Sequence, residues 1–274
     1  MFKDIKQVMK DSVLYGIGNV AVKLVGFILI PLYTDAEYFS TADYGLMGLL
    51  EVTSQILIAV MGLSLYSGLI RWYWDAEYRD KQKTIFFTTL LFTILTSLCI
   101  GSVLWLNVGE LSALLVQQEG YSLGGELPYI LQLLILTSML GAVVEVPQNL
   151  LRLQRKPIYY SLTNIVRLFV TLVLTIYFTI SLHRGVSGVY EAQLVGIAIQ
   201  LLMVLPLVIK NSSCRVDRKC TIQLLAYSYP LVFPAIVGSL LTVFDRYIIN
   251  HFQGLDDVGF YSLGYKVGNT LKVF

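Results

Sequence analysis

The sequence contains few charged residues, and this scarcity excludes several classes of protein. Charged residues make up 14% of the 274 residues, whereas a soluble domain carries about 25%. The net charge is only +2, so no basic surface predicts a nucleic-acid partner. Hydrophobic residues account for 56% of the chain, and they occur in long blocks. A single water-exposed globule is therefore excluded.

Cysteine and histidine are also scarce. The three cysteines, Cys99, Cys214 and Cys220, match no metal-ligand spacing. The two histidines lie in separate predicted loops without a carboxylate cluster, and no glycine-rich loop ends in Lys-Ser or Lys-Thr. The sequence therefore predicts no metal site, no cofactor and no catalytic residues.

Long apolar runs dominate the chain. A helix needs roughly 20 apolar residues to cross a bilayer, so the sequence predicts an all-α, polytopic transmembrane bundle. The seven complete spans are predicted at 12–33, 44–70, 84–106, 128–151, 158–182, 188–209 and 222–249. An eighth begins near Val258 and would end about ten residues beyond Phe274. Because a chain end within the bilayer leaves carbonyls unpaired, we expect the sequence to be truncated, as a fragment or by a disrupted reading frame.

Lysine and arginine lie almost entirely on one side of these spans. The opposite loops contain only Arg184 as a basic residue. The basic loops contain Lys3, Lys6, Lys10, Arg71, Arg79, Lys81, Lys83, Arg152, Arg155, Lys156, Lys210, Arg215, Arg218 and Lys219. By the positive-inside rule, this side is cytoplasmic, and the N-terminus lies there too.

Two segments at an offset of 214 residues are alike. Segments 42–50 and 256–264 lead into the second and the eighth span. The matched pairs are Asp43 with Asp257 and Gly45 with Gly259. Transporters are often built from internal repeats, and six spans per unit place both units in the same orientation. The match therefore predicts a second unit that starts near the end of the chain.

Several ionisable residues lie away from span ends, where each costs about 2.5–3.5 kcal/mol on insertion scales. Polar neighbours at three- and four-residue steps place them in stripes along single helix faces. The stripes are Tyr15, Asn19 and Lys23; Glu51 and Gln55; Glu145 and Asn149; and Asn164, Arg167, Thr171 and Thr175. Asp245 and Arg246 lie near the outer end of the seventh span, and Lys266 lies in the eighth.

Two interpretations of these charges remain open. In the first, Lys23 pairs with Glu51 and Arg167 pairs with Glu145, while the charges of the seventh span snorkel to the surface. In the second, the stripes line a water-filled cavity. Its lysines and arginines would bind a phosphate or pyrophosphate group, and its glutamates would carry protons. The stripes favour the cavity, because an ion pair alone needs no flanking Asn, Gln or Thr.

The segment Lys23–Thr34, followed by Asp43-Tyr44-Gly45, resembles the opening of bacterial polysaccharide flippases of the Wzx type. Segments Phe244–Ile249 and Gly259–Lys266 resemble the same proteins. These flippases belong to the multidrug/oligosaccharidyl-lipid/polysaccharide exporter (MOP) superfamily. The resemblance covers the whole chain.

The resemblance implies two six-helix lobes of MATE-like or flippase-like fold around a cationic cavity. Residues 1–209 would form the first lobe, 210–221 a cytoplasmic linker, and 222–274 the truncated start of the second. The protein would be a transporter and not an enzyme, located in the bacterial inner membrane. Its cargo would be an undecaprenyl-pyrophosphate-linked oligosaccharide for surface polysaccharide such as the O-antigen of lipopolysaccharide. The implied partners are this cargo, membrane lipids and a polysaccharide polymerase.

The candidate site residues follow from their predicted positions in the spans. We expect the cargo to contact Lys23, Arg167, Lys266, Asn19 and Asn164. We expect ion coupling at Glu51, Glu145 and Asp245.

Three other functions compete with this one. A drug or organic-cation antiporter of the same superfamily would prefer a net acidic lining, which the sequence does not favour. A membrane sugar polymerase or ligase usually needs a large outer loop with acid and base residues, and the longest one here offers only Glu110, Glu119 and Glu126. The third alternative is a non-functional truncated product.

Overall fold

The computed structural model describes residues 28–115, 125–213 and 215–271, and within these ranges it contains helices and no strands. The helices are α1 (Ile30–Tyr33), α2 (Thr41–Gly62), α3 (Leu65–Trp72), α4 (Gln82–Leu106), α5 (Val108–Leu115), α6 (Leu127–Leu153), α7 (Pro157–Ile176), α8 (Gly185–Asn211), α9 (Arg218–Phe252) and α10 (Leu255–Leu271). A 3-10 helix, Ala76–Lys81, precedes α4, and a π-helical turn, Tyr177–Ser181, follows α7. The predicted all-α fold is confirmed.

Six of the described helical segments are long and apolar enough to cross a membrane. They are Thr41–Gly62, Ala76–Leu106, Leu127–Leu153, Pro157–Ser181, Gly185–Asn211 and Arg218–Leu241. The predicted first span, 12–33, lies mostly outside the described residues. The chain is therefore a multi-pass membrane protein, as the apolar runs predict.

The predicted second span, 44–70, is not one continuous helix. Leu63 and Ser64 have φ angles of 43° and 51°, which is the left-handed region that residues other than glycine rarely adopt. These two residues end α2 and let α3 begin at Leu65. Nearby polar contacts stabilise the interruption: Ser64 Oγ donates to the Leu231 carbonyl (3.3 Å) and Thr96 Oγ1 donates to the Met61 carbonyl (2.7 Å).

Two predicted connections are shorter than expected. The predicted linker 210–221 is partly helical, because α8 ends at Asn211 and α9 begins at Arg218. Asp217 fixes this start, since its carboxylate accepts the backbone N–H groups of Lys219 (2.9 Å) and Cys220 (3.3 Å), which is the N-cap arrangement. The connection after α4 also contains a helix, α5.

The end of the bundle that carries Arg71, Lys81, Arg152, Lys210 and Lys219 is called the basic end here, and the other end the opposite end. At the basic end, Lys81 pairs with Asp217 (2.5 Å) and Lys219 with Glu77 (2.6 Å). The Lys81 hydrogen bond lowers the pKa of the Asp217 carboxyl below its usual value. Both pairs tie the 3-10 helix to the start of α9.

The aspartates of the internal repeat lie at helix starts. Ser40 Oγ accepts the Asp43 N–H (3.1 Å), and the Asp43 carboxylate accepts the Ser40 N–H (2.9 Å), forming a capping box. Asp256 and Asp257 occupy the first turn of α10, where a carboxylate interacts favourably with the positive end of the helix dipole. The aspartates of the two repeated segments therefore lie at the N-termini of two corresponding helices, α2 and α10.

The glycines of the repeat mediate the contact between α2 and α10. A Cβ placed on Gly45 would lie 1.8 Å from the Leu255 carbonyl oxygen, and one on Gly259 would lie 2.5 Å from the Thr41 carbonyl oxygen. Thr41 corresponds to Leu255 at the same offset as Gly45 to Gly259, so the two contacts are reciprocal. Only glycine permits backbones to approach this closely.

The centre of this contact pairs two positions that correspond to each other. A Cβ on Gly48 would lie 2.4 Å from Ser262 Oγ, and Ser262 is the counterpart of Gly48 in the repeat. A residue that contacts its own counterpart marks a local two-fold axis. The reciprocal contacts agree with the predicted internal repeat, and α2 and α10 cross at its axis.

Two apolar cores join α9 and α10 to the preceding helices. At the opposite end, Leu255 of α10 belongs to the cluster that contains Leu46, Leu49 and Leu134. At the basic end, Leu224 of α9 belongs to a cluster with Leu65, Leu69, Phe86 and Leu150. The surface along which α9 and α10 pack on α1, α2 and α3 is called the seam below.

Candidate functional site

Two predicted substrate-binding residues, Lys23 and Asn19, lie outside the described residues, so the pair Lys23–Glu51 stays a prediction. Glu51 is exposed on α2. Its charge acts on the hydroxyls of Tyr33, Tyr44 and Tyr190. Tyr33 and Tyr44 belong, with Tyr190, to the apolar cluster at the opposite end of the bundle.

Arg167 of α7 does not form the predicted ion pair with Glu145. Its Nη1 donates to Oε1 of Gln200 on α8 (3.1 Å), and Nε2 of the same amide donates to Oδ1 of Asn164 (3.1 Å). Asn164 Nδ2 donates to the Tyr160 carbonyl (2.8 Å). In the described part of the chain, the half-buried guanidinium is therefore paired with a neutral amide and not with a carboxylate.

The polar stripe on α7 faces α8, which explains why the ion pair is not formed. A Cβ on Gly196 would lie 2.1 Å from Thr171 Oγ1 and 3.2 Å from the Arg167 carbonyl oxygen. Thr175 is fully buried. The sequence correctly placed these residues on one face, but that face packs against α8, while Glu145 lies on α6. The substrate-binding roles of Arg167 and Asn164 stay predictions.

Glu145 lies beside the interruption between α2 and α3. A Cβ on Gly62, the last residue of α2, would lie 3.9 Å from Glu145 Oε2. Among the described residues no lysine or arginine forms an ion pair with Glu145, and Asn149 Nδ2 donates to its backbone carbonyl (3.0 Å). Arg152 is the cation whose charge reaches it. The ion-coupling role of Glu145 stays a prediction.

Asp245 does not snorkel to the surface. Its Oδ2 accepts the hydroxyl of Tyr261 on α10, and its Oδ1 accepts the backbone N–H of Arg246 (2.8 Å). The carboxylate therefore links α9 to α10.

Arg246 is the main residue that sequence reasoning missed as a site candidate. It is only 7% exposed, and its Cζ lies 5.0 Å from the ring centroid of Tyr265. The snorkelling interpretation does not hold for this residue, because α10 covers the face of α9 that carries it. The sequence signal was the pair Tyr261 and Tyr265, one helical turn apart on α10, which provides aromatic partners for a neighbouring cation.

Lys266 also lies at the seam over an aromatic ring. Its Nζ is 5.5 Å from the ring centroid of Tyr33, and the rings of Tyr33 and Tyr44 are 6.2 Å apart. Tyr247 OH of α9 and Thr53 Oγ1 of α2 form a hydrogen bond of 2.7 Å. The seam therefore combines two cations with several tyrosines.

A cavity of about 420 Å³ opens elsewhere, at the basic end. Its lining consists of Trp74, Leu153, Gln154 and Arg155. Among the described residues, no predicted substrate-binding or ion-coupling side chain lines this cavity.

The fold is similar to that of solved MOP superfamily transporters. The MATE multidrug transporter DinF-BH, solved in a ligand complex, matches with a TM-score of 0.77 and 16% identity over 98% of this chain and 61% of that one. The Vibrio cholerae MATE transporter VcmN, solved as a mutant, has a TM-score of 0.67 and 17% identity over 96% and 60%. A MOP superfamily transporter from Pyrococcus furiosus has a TM-score of 0.69 and 15% identity over 96% and 61%.

The chain spans 60–61% of the length of these three transporters. A search of curated proteins found no match. The sequence profile of a family described as polysaccharide biosynthesis protein matches residues 8–274. The chain therefore belongs to the polysaccharide biosynthesis protein family, and its described residues have the fold of MOP superfamily transporters.

Proposed function

We propose that this protein takes part in flipping an undecaprenyl-pyrophosphate-linked oligosaccharide across the bacterial inner membrane for surface polysaccharide synthesis. The observation that carries the proposal is the state of Arg167. It lies on a membrane-spanning helix, and its partner is the neutral amide of Gln200. Among the described residues no carboxylate pairs with it, and an unneutralised charge in a membrane span is costly, so an anionic cargo gives a physical reason for keeping it.

The pyrophosphate group supplies that anion. Guanidinium groups bind phosphate oxygens through short, charge-assisted hydrogen bonds. In the proposed mechanism the head-group meets the basic side chains, the sugar lies in a wet space between the lobes, and the lipid tail stays in the bilayer. Repeat-built transporters move such cargo by rocking their two units about a central site, and the glycine contact between α2 and α10 is the described part of that boundary. We further propose that the basic end faces the cytoplasm.

An organic-cation exporter is the second candidate. It is favoured by the similarity to a MATE multidrug transporter and by two carboxylates on membrane-spanning helices, Glu51 and Glu145. The cations Arg167 and Arg246 oppose it, because a cationic cargo would be repelled by them.

Binding in nanodiscs separates the two candidates without requiring a full transport cycle. The chain is titrated with a short oligosaccharide on undecaprenyl pyrophosphate and, separately, with an organic-cation dye. We expect the lipid-linked sugar to bind and Arg167→Met to lower its affinity at least about tenfold, since hydrogen bonds to charged groups contribute about 1.5–3 kcal/mol. Arg155→Met, at an exposed arginine of the basic end, is the matched control and should bind normally.

Two results would contradict the proposal. One is binding of the dye but not of the lipid-linked sugar, which would favour the cation exporter. The other is an equal loss of sugar-lipid affinity in both arginine variants, which would mean that only a general positive charge matters.

A further inference from the structure

The cavity at the basic end lies at the level of the lipid head-groups. Three of its four lining residues, 153–155, lie where α6 ends and just before α7 begins. Both helices are long and apolar enough to cross a membrane, so the short connection between them lies near the bilayer surface. The fourth lining residue, Trp74, is 64% exposed, and tryptophans concentrate at membrane–water interfaces. The cavity therefore opens beside the head-groups.

Hydrogen bonds hold one wall of the cavity in place. Gln154 Nε2 donates to the hydroxyl of Tyr73 at the end of α3 (3.0 Å) and to Oδ1 of Asn211 at the end of α8 (2.9 Å). Tyr73 is buried, and its ring meets the ring of Trp74 edge to face, with the centroids 5.1 Å apart. Three helix ends thus fix the wall, and a ligand would need to order little of it.

Arg155 occupies a backbone position that usually belongs to glycine. Its φ angle is 54°. Its N–H donates to the Arg152 carbonyl (3.1 Å), and the Lys156 N–H donates to the Leu151 carbonyl (2.9 Å), which together form the Schellman motif at the end of α6. Glycine is the usual residue here, because a side chain is strained in the left-handed conformation. A strained arginine that lines a cavity points to a function for its side chain.

The charge of Arg155 is available to a ligand. The guanidinium is exposed, and none of the ion pairs among the described residues includes it. Lys156 adds a second cation, since its Nζ donates to Oε1 of Gln154 in the cavity wall (2.7 Å). The rim of the cavity is therefore positive.

The carboxylate that follows Trp74 in the chain is engaged within its own loop. Asp75 Oδ1 accepts the N–H of Glu77 (3.0 Å), and its Oδ2 lies 3.9 Å from Nη1 of Arg71. Neither oxygen is paired with Arg155. No acidic residue is among the four that line the cavity, so its charge favours an anion.

We propose that this cavity binds the phosphate of an anionic glycerophospholipid such as phosphatidylglycerol, with Arg155 as the principal donor. Guanidinium groups bind phosphate oxygens through charge-assisted hydrogen bonds. Trp74 and Leu153 offer apolar surface to the glycerol and the upper acyl chains, which a free phosphate ion would not use. The volume of about 420 Å³ falls within the range of about 300–1,000 Å³ that is usual for small-molecule sites.

The site is separate from the boundary between the repeat units, because none of its lining residues belongs to α9 or α10. It also does not depend on the identity of the cargo. A zwitterionic lipid such as phosphatidylcholine should bind more weakly, because its ammonium group would meet Arg155 and Lys156.

Native mass spectrometry of the whole chain in detergent, titrated with phosphatidylglycerol, tests the proposal. We expect Arg155→Met to weaken binding of the first lipid at least about tenfold, equal to about 1.4 kcal/mol, and Arg155→Lys to recover part of the affinity. Arg79→Met is the matched control, because Arg79 is an exposed arginine of the neighbouring 3-10 helix that does not line the cavity. It should bind normally.

Arg155→Gly distinguishes a ligand-binding role from a structural one. Glycine removes the strain of the left-handed backbone, so the unfolding temperature of the lipid-free protein should stay the same or rise, while the lipid affinity falls as in Arg155→Met. If Arg155 served only to end α6, Arg155→Gly would leave the affinity unchanged. That result would overturn the proposal.

Further arms identify the source of the phosphate. Phosphatidylcholine and glycerol 3-phosphate should compete only weakly with phosphatidylglycerol. Equal competition by glycerol 3-phosphate would assign the site to a soluble phosphate compound, and equal competition by phosphatidylcholine would remove the selection for negative charge. Either result would overturn the proposal, as would an equal loss of affinity in Arg155→Met and Arg79→Met.

The outcomes are distinguishable from those that test the proposed function. In nanodiscs the bilayer phospholipids are in large excess over the lipid-linked sugar and fill the cavity. Arg155→Met should therefore lose affinity for phosphatidylglycerol and still bind the lipid-linked sugar normally. A loss of both in this variant would assign Arg155 to the cargo and overturn the separate lipid site.

Discussion

Substituting Gly259 by alanine should push α10 away from α2, while the same substitution at Gly264 on the same helix should not. A Cβ on Gly259 would lie 2.5 Å from the Thr41 carbonyl oxygen, and nothing lies within 4 Å of a Cβ on Gly264. An ordinary contact begins at 3.4 Å, so α10 must retreat by about 0.9 Å at Gly259. A backbone carbonyl cannot rotate away as a side chain can, because it is fixed by helix hydrogen bonds.

The expected loss of stability follows from comparing Gly259→Ala with Gly264→Ala, because the gain in helix propensity is the same in both variants. Alanine is favoured over glycine in a helix interior by about 0.5–1 kcal/mol, and both variants receive this gain. Overpacking costs about 1–3 kcal/mol, and only Gly259→Ala incurs it. We therefore expect Gly259→Ala to be less stable than Gly264→Ala by about 1–3 kcal/mol.

Thermal unfolding in detergent, followed by tryptophan fluorescence, measures this difference. A change of 1 kcal/mol moves the midpoint by about 2–4 °C in domains of 150–250 residues. Hydrogen exchange adds local information, since Gly259→Ala should speed exchange in α10 and Gly264→Ala should not. Gly45→Ala should be more severe than Gly259→Ala, because its Cβ would lie only 1.8 Å from the Leu255 carbonyl oxygen.

The rank order of stability among the three glycine variants tests this prediction. If both α10 variants gained stability equally, no close backbone contact would exist between α2 and α10. If Gly259→Ala were severe and Gly45→Ala harmless, the contact would not be reciprocal. The two-fold relation of the repeat would then lose its structural support.

Three further predictions concern the first lobe and the basic end. Gly196→Ala should destabilise the contact between α7 and α8. Adding Thr171→Ala should restore most of the lost stability, because it removes the hydroxyl that lies 2.1 Å from the new Cβ. Additive effects in a double-mutant cycle measured by thermal unfolding would contradict this. Gln200→Leu should cost about 1–3 kcal/mol by leaving two partly buried polar partners, Arg167 and Asn164, unsatisfied, while Gln55→Leu at an exposed position should be nearly neutral in the same assay. Asp217→Ser should lose the ion pair but keep the N-cap. Because salt screens the ion pair of the native protein, the loss of stability in Asp217→Ser should vanish in high salt, whereas the loss in Asp217→Ala should persist. The pKa of Asp217 is lowered in the folded protein. The stability that its ion pair contributes should therefore be fully present at pH values above the ordinary aspartate pKa, and it should be lost as the pH falls through the lowered pKa.

The positions of the spans could be predicted from hydropathy, but the interruption of the second span could not. Helix α6 begins and ends within a few residues of the predicted 128–151. Gly62 adjoins the break, but glycine is common within membrane helices, and the contacts that accompany the left-handed conformation of Leu63 and Ser64 come from distant residues, Leu231 and Thr96. Tertiary contacts decide such a break, and hydropathy averages do not contain them.

Periodicity predicted which residues share a face, but not which helix the face meets. Asn164 and Arg167 lie on one face of α7, as their spacing indicates, and both contact Gln200. The expected partner, Glu145, was chosen from depth along neighbouring spans. Depth does not fix rotation about the helix axis, and the close approach at Gly196 turns the stripe toward α8.

Arg246 shows the same limit for a charge near a helix end. A single-helix rule predicts snorkelling, because a long side chain can reach the surface. The rule ignores the neighbouring helix, and here Tyr265 of α10 covers the side chain. The sequence offers Tyr261 and Tyr265 as aromatic partners for a cation, but only the packing of α9 against α10 shows that Tyr265 covers Arg246.

The composition of the seam bears on whether α10 can separate from α2 at low cost. At the glycine contacts the two backbones meet directly, so separation strips little apolar side-chain surface there. The polar links of the seam, Thr53 with Tyr247 and Ser64 with the Leu231 carbonyl, join α9 rather than α10 to the preceding helices, so separation of α10 alone leaves them intact. Apolar packing opposes the separation, because Leu255 of α10 is fully buried in the cluster that contains Leu46, Leu49 and Leu134, and losing these contacts costs free energy. A ligand that binds only after α10 has separated must therefore offset this cost to shift the population toward the open state.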